Sequence, residues 1–166
     1  MTVSRSRTIV GVAVSVLLVA LLAAGVMAGG GGAKGGIKLT GAAERPGPGD
    51  PDGSGRAFLK IRPNAERVCF DVRWKNLDPV TMAHIHVGSP EEAGDIVVTL
   101  FTSMSGIETL SETRTQLRAC TETFSPPMGM SVEDLLRDIK DNPEDYYVNV
   151  HSTVFPAGAI RGQLKG

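Results

Sequence analysis

Apolar residues in this chain recur at every second position, in short runs that end on glycine, proline or an Asp/Asn turn signal. That pattern belongs to half-buried strands and excludes a helical bundle. Ala57, Leu59 and Ile61 alternate with Arg56, Lys60 and Arg62, and Val68, Phe70, Val72 and Trp74 oppose Cys69, Asp71 and Arg73. Ala83, Ile85 and Val87 alternate with His84 and His86, and Leu117 and Ala119 with Arg118 and Cys120. Ile37 to Ala43, the more continuous Ile96 to Phe101, Tyr146 to His151, and Ala159 to Leu164 complete the set of expected strands. Pro46 to Gly55, Pro63-Asn64 and Asp78-Pro79 read as turns, and residues 103–114 as a polar loop. Twenty glycines and ten prolines in 166 residues fit so many reversals of direction.

One segment breaks the period. Val132, Leu135, Leu136 and Ile139 form a helical stripe, Ser131 and Asp134 supply a capping-box-like start, and Asn142-Pro143 ends it. The predicted fold is all-β: a sandwich or barrel of about eight antiparallel strands. It is either superoxide-dismutase-like or immunoglobulin-like, and one short helix near 131–142 covers an open end.

The N-terminus lies outside that fold. Arg5 and Arg7 precede an apolar run from Ile9 to Met27, and Val26-Met27-Ala28 offers small or apolar groups for a signal peptidase. Residues 1–28 are read as a signal peptide or, since ~20 apolar residues span a bilayer, as a retained membrane anchor. Either way the arginines stay inside and the remainder is expected outside, secreted or held at the outer face of the cytoplasmic membrane. Residues 29–36, mostly glycine, read as a flexible spacer and 37–166 as the domain. Losing Arg5 and Arg7 leaves 15 Lys+Arg against 18 Asp+Glu, a net charge of -3, which argues against nucleic acid as a partner. Cys69 and Cys120 are the two cysteines; in an exported chain the default is a disulfide, with a pair of metal thiolates as the weaker alternative.

Four segments carry a resemblance: Leu39-Thr40-Gly41-Ala42-Ala43-Glu44, Ala83-His84-Ile85-His86-Val87-Gly88, Tyr146-Tyr147-Val148-Asn149-Val150-His151, and the closing run from Phe155 to Leu164. They resemble the CHRD domain, first recognised in chordin and also found alone in exported bacterial proteins, over residues 37–165. The resemblance implies a barrel or sandwich distantly similar to copper/zinc superoxide dismutase, and no established activity. Chordin antagonises secreted growth factors through modules that this chain lacks. The family often has an acidic residue where this chain has Ala159.

All three histidines of the chain fall in these motifs. The i, i+2 spacing puts His84 and His86 on one face of a strand, opposite Ile85, so their rings are expected to point away from the core. With Val148 and Val150 as core, His151 points outward as well. Should the two strands be neighbours, three neutral imidazoles converge. Zn²⁺ takes nitrogen ligands at ~2.0–2.1 Å, with three ligands and an open position in catalytic sites, and Cu²⁺ also favours imidazole. The plain alternative is three strand histidines bonded to backbone or carboxylates. A dismutase-type copper site linked to zinc through a bridging histidine needs four imidazoles, so the expectation is a mononuclear copper or zinc site without dismutase activity, and an enzyme is the weaker reading.

Arg161 shares the outward parity of Ala159 and Gln163; it is a candidate anion contact, with carbonyl capping or an ion pair as the alternative. Arg56, Lys60, Arg62, Arg67, Arg73 and Lys75 share one face of two consecutive strands and form a basic face, diluted by Asp71. That face suits an anionic polymer, against the plainer reading of a solvated surface. The second functional expectation is therefore a non-catalytic cell-envelope module that binds a protein or an anionic polymer. Asp50-Pro51-Asp52-Gly53-Ser54-Gly55 has the look of a calcium loop, but Ile61 stands where the bidentate Glu belongs, so it reads as a turn. Nucleophilic chemistry has no motif: Ser152 follows His151 directly and must face away from it.

Overall fold

The computed structural model describes residues 36–103 and 114–165. The leader, nearly all of the spacer, and most of the polar loop at 103–114 lie outside the described residues. Among those described, no helix is long and apolar enough to cross a membrane.

Among the described residues eight strands form, at β1 (Ile37–Thr40), β2 (Ser54–Arg62), β3 (Arg67–Lys75), β4 (Val80–Val87), β5 (Ile96–Thr102), β6 (Gln116–Thr121), β7 (Tyr146–Ser152) and β8 (Ile160–Gln163). They make one sheet in the order β5-β4-β7-β8-β1-β2-β3-β6, and every pairing is antiparallel. The two edges approach each other. Thr99 N–H donates to Thr123 O at 3.0 Å and Ser125 N–H to Val97 O at 3.0 Å, so the segment after β6 bonds to β5 and the barrel is nearly closed. Closure spares the sheet long unpaired edges. β1 is shorter than its apolar pattern predicts. It gives way to a single turn of 3₁₀ helix at Gly41–Ala43. There the returning loop passes so close that a Cβ on Gly41 would lie 1.8 Å from Asp50 O.

The alternating residues fill the interior: Leu39, Ala57, Val68, Phe70, Val72, Trp74, Ala83, Ile85, Val148, Val150 and Ile160 are buried. Phe70 and Trp74 lean on Phe101 of β5, with ring centroids 5.9 and 6.4 Å apart. In β5 the alternation fails for a geometric reason. Two bulges against β4 leave Val97 and Leu100 without directly opposed partners, so four of its apolar residues turn inward.

The helix α1 (Val132–Asp141) begins where its cap predicts, with Ser131 Oγ accepting from Asp134 N–H at 3.1 Å. Leu135, Leu136 and Ile139 are buried, each worth roughly 1.5–3 kcal/mol. Arg137 donates to Asn64 Oδ1 at 2.9 Å, which docks the helix on the turn between β2 and β3.

Candidate metal centre

Strand β7 is buried along its whole length, on both faces. Val148 and Val150 enter the core, while Tyr147, Asn149 and His151 point the other way. The register lines them up with β4 and β8: Met82 stands opposite His151, His84 opposite Asn149 and then Arg161, and His86 opposite Tyr147 and then Gln163. The result is a second, polar layer on the outer side of the sheet. Both bulges of the β4–β5 ladder fall beside His84 and His86, where such irregularities re-aim side chains.

The parity expected from the sequence holds, but exposure does not follow from it. His84, His86 and His151 are only 4%, 7% and 6% exposed. Two loops cover them. In the β4–β5 connection Gly94 presses against β4, where a Cβ would come within 1.7 Å of Val87 O. Its N–H donates to Tyr147 Oη at 3.1 Å. In the β7–β8 connection, the Pro156 carbonyl reaches back to His151.

Each loop supplies one carbonyl to one histidine, and this sets the proton positions. His86 Nδ1 lies 2.8 Å from Gly94 O, and His151 Nδ1 lies 2.9 Å from Pro156 O. A carbonyl only accepts, so both Nδ1 atoms carry hydrogen and donate it. In the neutral rings both Nε2 atoms then present lone pairs. These face the same place: Asn149 Oδ1 is 3.0 Å from His86 Nε2 and 3.1 Å from His151 Nε2. His84 Nδ1 is 3.1 Å from His151 Nε2. Two nitrogen lone pairs and an amide oxygen repel one another unless the Asn149 side chain turns its NH₂ inward or a positive charge sits among them. Imidazoles that give one N–H to a backbone carbonyl and leave the other nitrogen bare are arranged as metal-ligating histidines are. One ligand atom from each ring can be chosen so that all three lie within 4.8 Å of one another. A tetrahedral ion with ~2.0–2.1 Å bonds needs nitrogens roughly 3.3 Å apart, so the set must close by on the order of 1 Å.

The electrostatics favour neutral rings. Burial, then the adjoining His151 and His86, hold His84 down to about 3. Burial likewise lowers His86, with the Arg161 charge adding to it against the opposing bonds to Gly94 and Asn149. Burial also lowers His151. Arg161 itself is 1% exposed. Its guanidinium carbon lies 3.3 Å over the centre of the Tyr147 ring, and Tyr147 stacks in turn on His86 at 4.7 Å. Both terminal nitrogens are spent on the covering loop, donating to Glu92 O and Ser89 O at 2.6 Å each. The expected anion contact at Arg161 is therefore corrected: the guanidinium caps carbonyls under a closed loop and offers no face to a dissolved anion.

The other sequence-predicted residues lie elsewhere. Cys69 and Cys120 stand directly opposite each other on β3 and β6 and are joined as a disulfide. Arg56, Lys60, Arg62, Arg67, Arg73 and Lys75 share the outer face of β2 and β3, opposite Ala57, Leu59, Val68 and Val72. Arg67 is paired with Glu122 and Arg73 with Asp71. Asp50 is a turn residue: its Oδ1 accepts the N–H groups of Asp52 and Gly53 at 2.9 Å each. Reading by residue type passed over Asn149 and Tyr147, although both share the parity of His151.

A family model described as CHRD domain matches residues 36–164. A search of curated proteins and a search of solved structures return no match. The matched span covers the whole barrel, the three-histidine layer and the helix, and on that ground the chain belongs to the CHRD domain family.

Proposed function

We propose that this protein is an exported CHRD-domain protein that binds one copper or zinc ion through His84, His86 and His151. The carrying observation is the pair of Nδ1–H donations to Gly94 O and Pro156 O, which leave two Nε2 lone pairs aimed at common ground beside His84. Three imidazoles without a carboxylate suit Zn²⁺ and Cu²⁺ and not Ca²⁺ or Mg²⁺. Burial under two loops supports holding a metal rather than turning over a substrate, and three imidazoles fall short of a dismutase-type pair of metals. The cross-strand disulfide between Cys69 and Cys120 supports an oxidising location. The basic leader and apolar run supply the route there; a mature N-terminus at Gly29 would favour cleavage over a retained anchor.

The test is metal analysis of protein purified from its own host and dialysed, beside the His86→Ala variant. The reading expects close to one equivalent of copper or zinc in the wild type and a loss of at least tenfold in the variant. Equal and negligible copper and zinc in both would end it.

A further inference from the structure

Asn149 stands in the middle of the polar layer, on β7, opposite His84 on one side and Arg161 on the other. It is 3% exposed, so its amide must be satisfied by what surrounds it. Its Oδ1 lies 3.0 Å from His86 Nε2 and 3.1 Å from His151 Nε2. His151 Nε2 is in turn 3.1 Å from His84 Nδ1. The Nδ1–H donations of His86 and His151 to Gly94 O and Pro156 O leave both Nε2 atoms bare in the neutral rings. An amide oxygen carries no hydrogen either, so none joins it to either ring. Turning the NH₂ inward does not resolve the contacts. His151 Nε2 has one ring lone pair and two neighbours at 3.1 Å, the Asn149 amide and His84 Nδ1, and cannot accept fully from both. A cation uses that one lone pair and makes both neighbours its co-ligands. The spacing suits one: ligands ~2.0–2.1 Å from an ion stand roughly 2.9–3.3 Å apart, from flat to tetrahedral geometry. All three of these separations fall in that range.

From this we infer that Asn149 Oδ1 is the fourth ligand of the metal centre, completing a set of three nitrogens and one oxygen with His84 Nδ1, His86 Nε2 and His151 Nε2. This role rests on the three-histidine reading and extends it in two ways. Asn149 fills the position that a catalytic zinc site keeps open for water or substrate, so the centre retains its ion and leaves no place for a substrate to coordinate. It also favours a divalent ion. An amide oxygen is a hard donor that Zn²⁺ or Cu²⁺ accepts beside imidazole, whereas Cu⁺ selects soft sulfur ligands.

The experiment strips the purified full-length chain with a chelator and titrates it with Zn²⁺ alone. Competition with a chromophoric chelator gives the affinity, and the side-chain carbonyl resonances of isotope-labelled asparagines report on the oxygen directly. The wild type, Asn149→Leu, Asn149→Asp and His86→Ala are compared. In the wild type the Asn149 resonance should move when zinc binds, while those of Asn64, Asn76 and Asn142 stay in place. Asn149→Leu should bind zinc at least tenfold more weakly. Asn149→Asp keeps an oxygen at the same point and should bind at least as tightly as the wild type. An Asn149 resonance that does not move in the zinc-loaded protein would overturn the inference, and this readout decides even where Asn149→Leu fails to fold. An undiminished affinity in Asn149→Leu, or a weaker one in Asn149→Asp, would overturn it as well. Each of these outcomes leaves the three-histidine site standing as long as His86→Ala loses zinc. A wild type that takes up no zinc, or a His86→Ala variant that binds it equally, removes the three-histidine zinc site and the fourth ligand with it.

Discussion

Among single residues, Glu44 is the one that chemistry singles out beyond the histidines. It is 4% exposed, its Oε1 has no hydrogen-bond partner, and a Cβ on Gly158 would lie 2.5 Å from its Oε2. Burial pushes its carboxyl up to about 7, while the charges of Arg161 and Arg45 and a backbone bond from Arg45 pull the other way. Raised from an unfolded value of 4.5, Glu44 contributes stability that is complete below pH 4.5 and is lost as pH rises through about 7. His84 has the opposite sign. Its depressed value gives stability that is complete above its ordinary 6.5 and is lost as pH falls toward about 3. Between pH 4.5 and 6.5 these two groups offset each other. The Glu44→Gln variant removes one side of that balance. Denaturant melts across pH 4 to 8 should show the wild type losing stability relative to Glu44→Gln, by on the order of 3 kcal/mol between the two limits. Parallel pH profiles for the two proteins would contradict the assignment.

At the scale of elements, two loops and one central strand make the metal centre. A sheet whose outer face met water would leave β4 and β7 polar on that side and mobile at their histidines. Folding the β4–β5 and β7–β8 connections back over the sheet turns the same side chains into a satisfied interior layer, with Arg161 clamping the first loop from below. Gly94 is the closest point of that clamp. Its carbonyl fixes the His86 tautomer and its missing side chain lets the loop lie on Val87. Gly94→Ala must lift the loop away from β4 and with it the acceptor of His86. The expected outcome is a metal affinity lower by 10–100-fold, the range seen when outer-shell partners of metal ligands are lost. Competition with a chromophoric chelator measures it. An unchanged affinity would mean that the loop carbonyl does not orient His86.

Across the whole molecule, the nearly closed barrel has its weakest seam where β6 leaves β3 to meet β5. The disulfide sits close to that seam and spans 51 residues of sequence. In the chain-entropy model a loop of that length is worth about 4 kcal/mol. The double variant Cys69→Ser/Cys120→Ser should unfold at a lower denaturant concentration by roughly that amount, and reductant should do the same to the wild type. The expected effect on the metal centre is nil, since the disulfide joins β3 to β6 and the histidines lie on β4 and β7. A variant as stable as the parent would show that the strand ladder alone holds the seam.

Local pattern was enough to place the strands and the helix, because a side chain's face follows from its position in the repeat, and the period switches from two to 3.6 only at Val132. It also paired His84 with His86 and gave His151 the matching parity, and it marked Ser131 as a cap. Tertiary structure alone decided that β4 and β7 are neighbours, that loops bury the polar face, and that Arg161 is consumed in holding one of them. Those outcomes depend on which strands pair and where connecting segments come to rest. Neither is encoded within a window of ten residues: His84 and His151 meet across 67 residues, and the Arg161 clamp acts across 69 and 72.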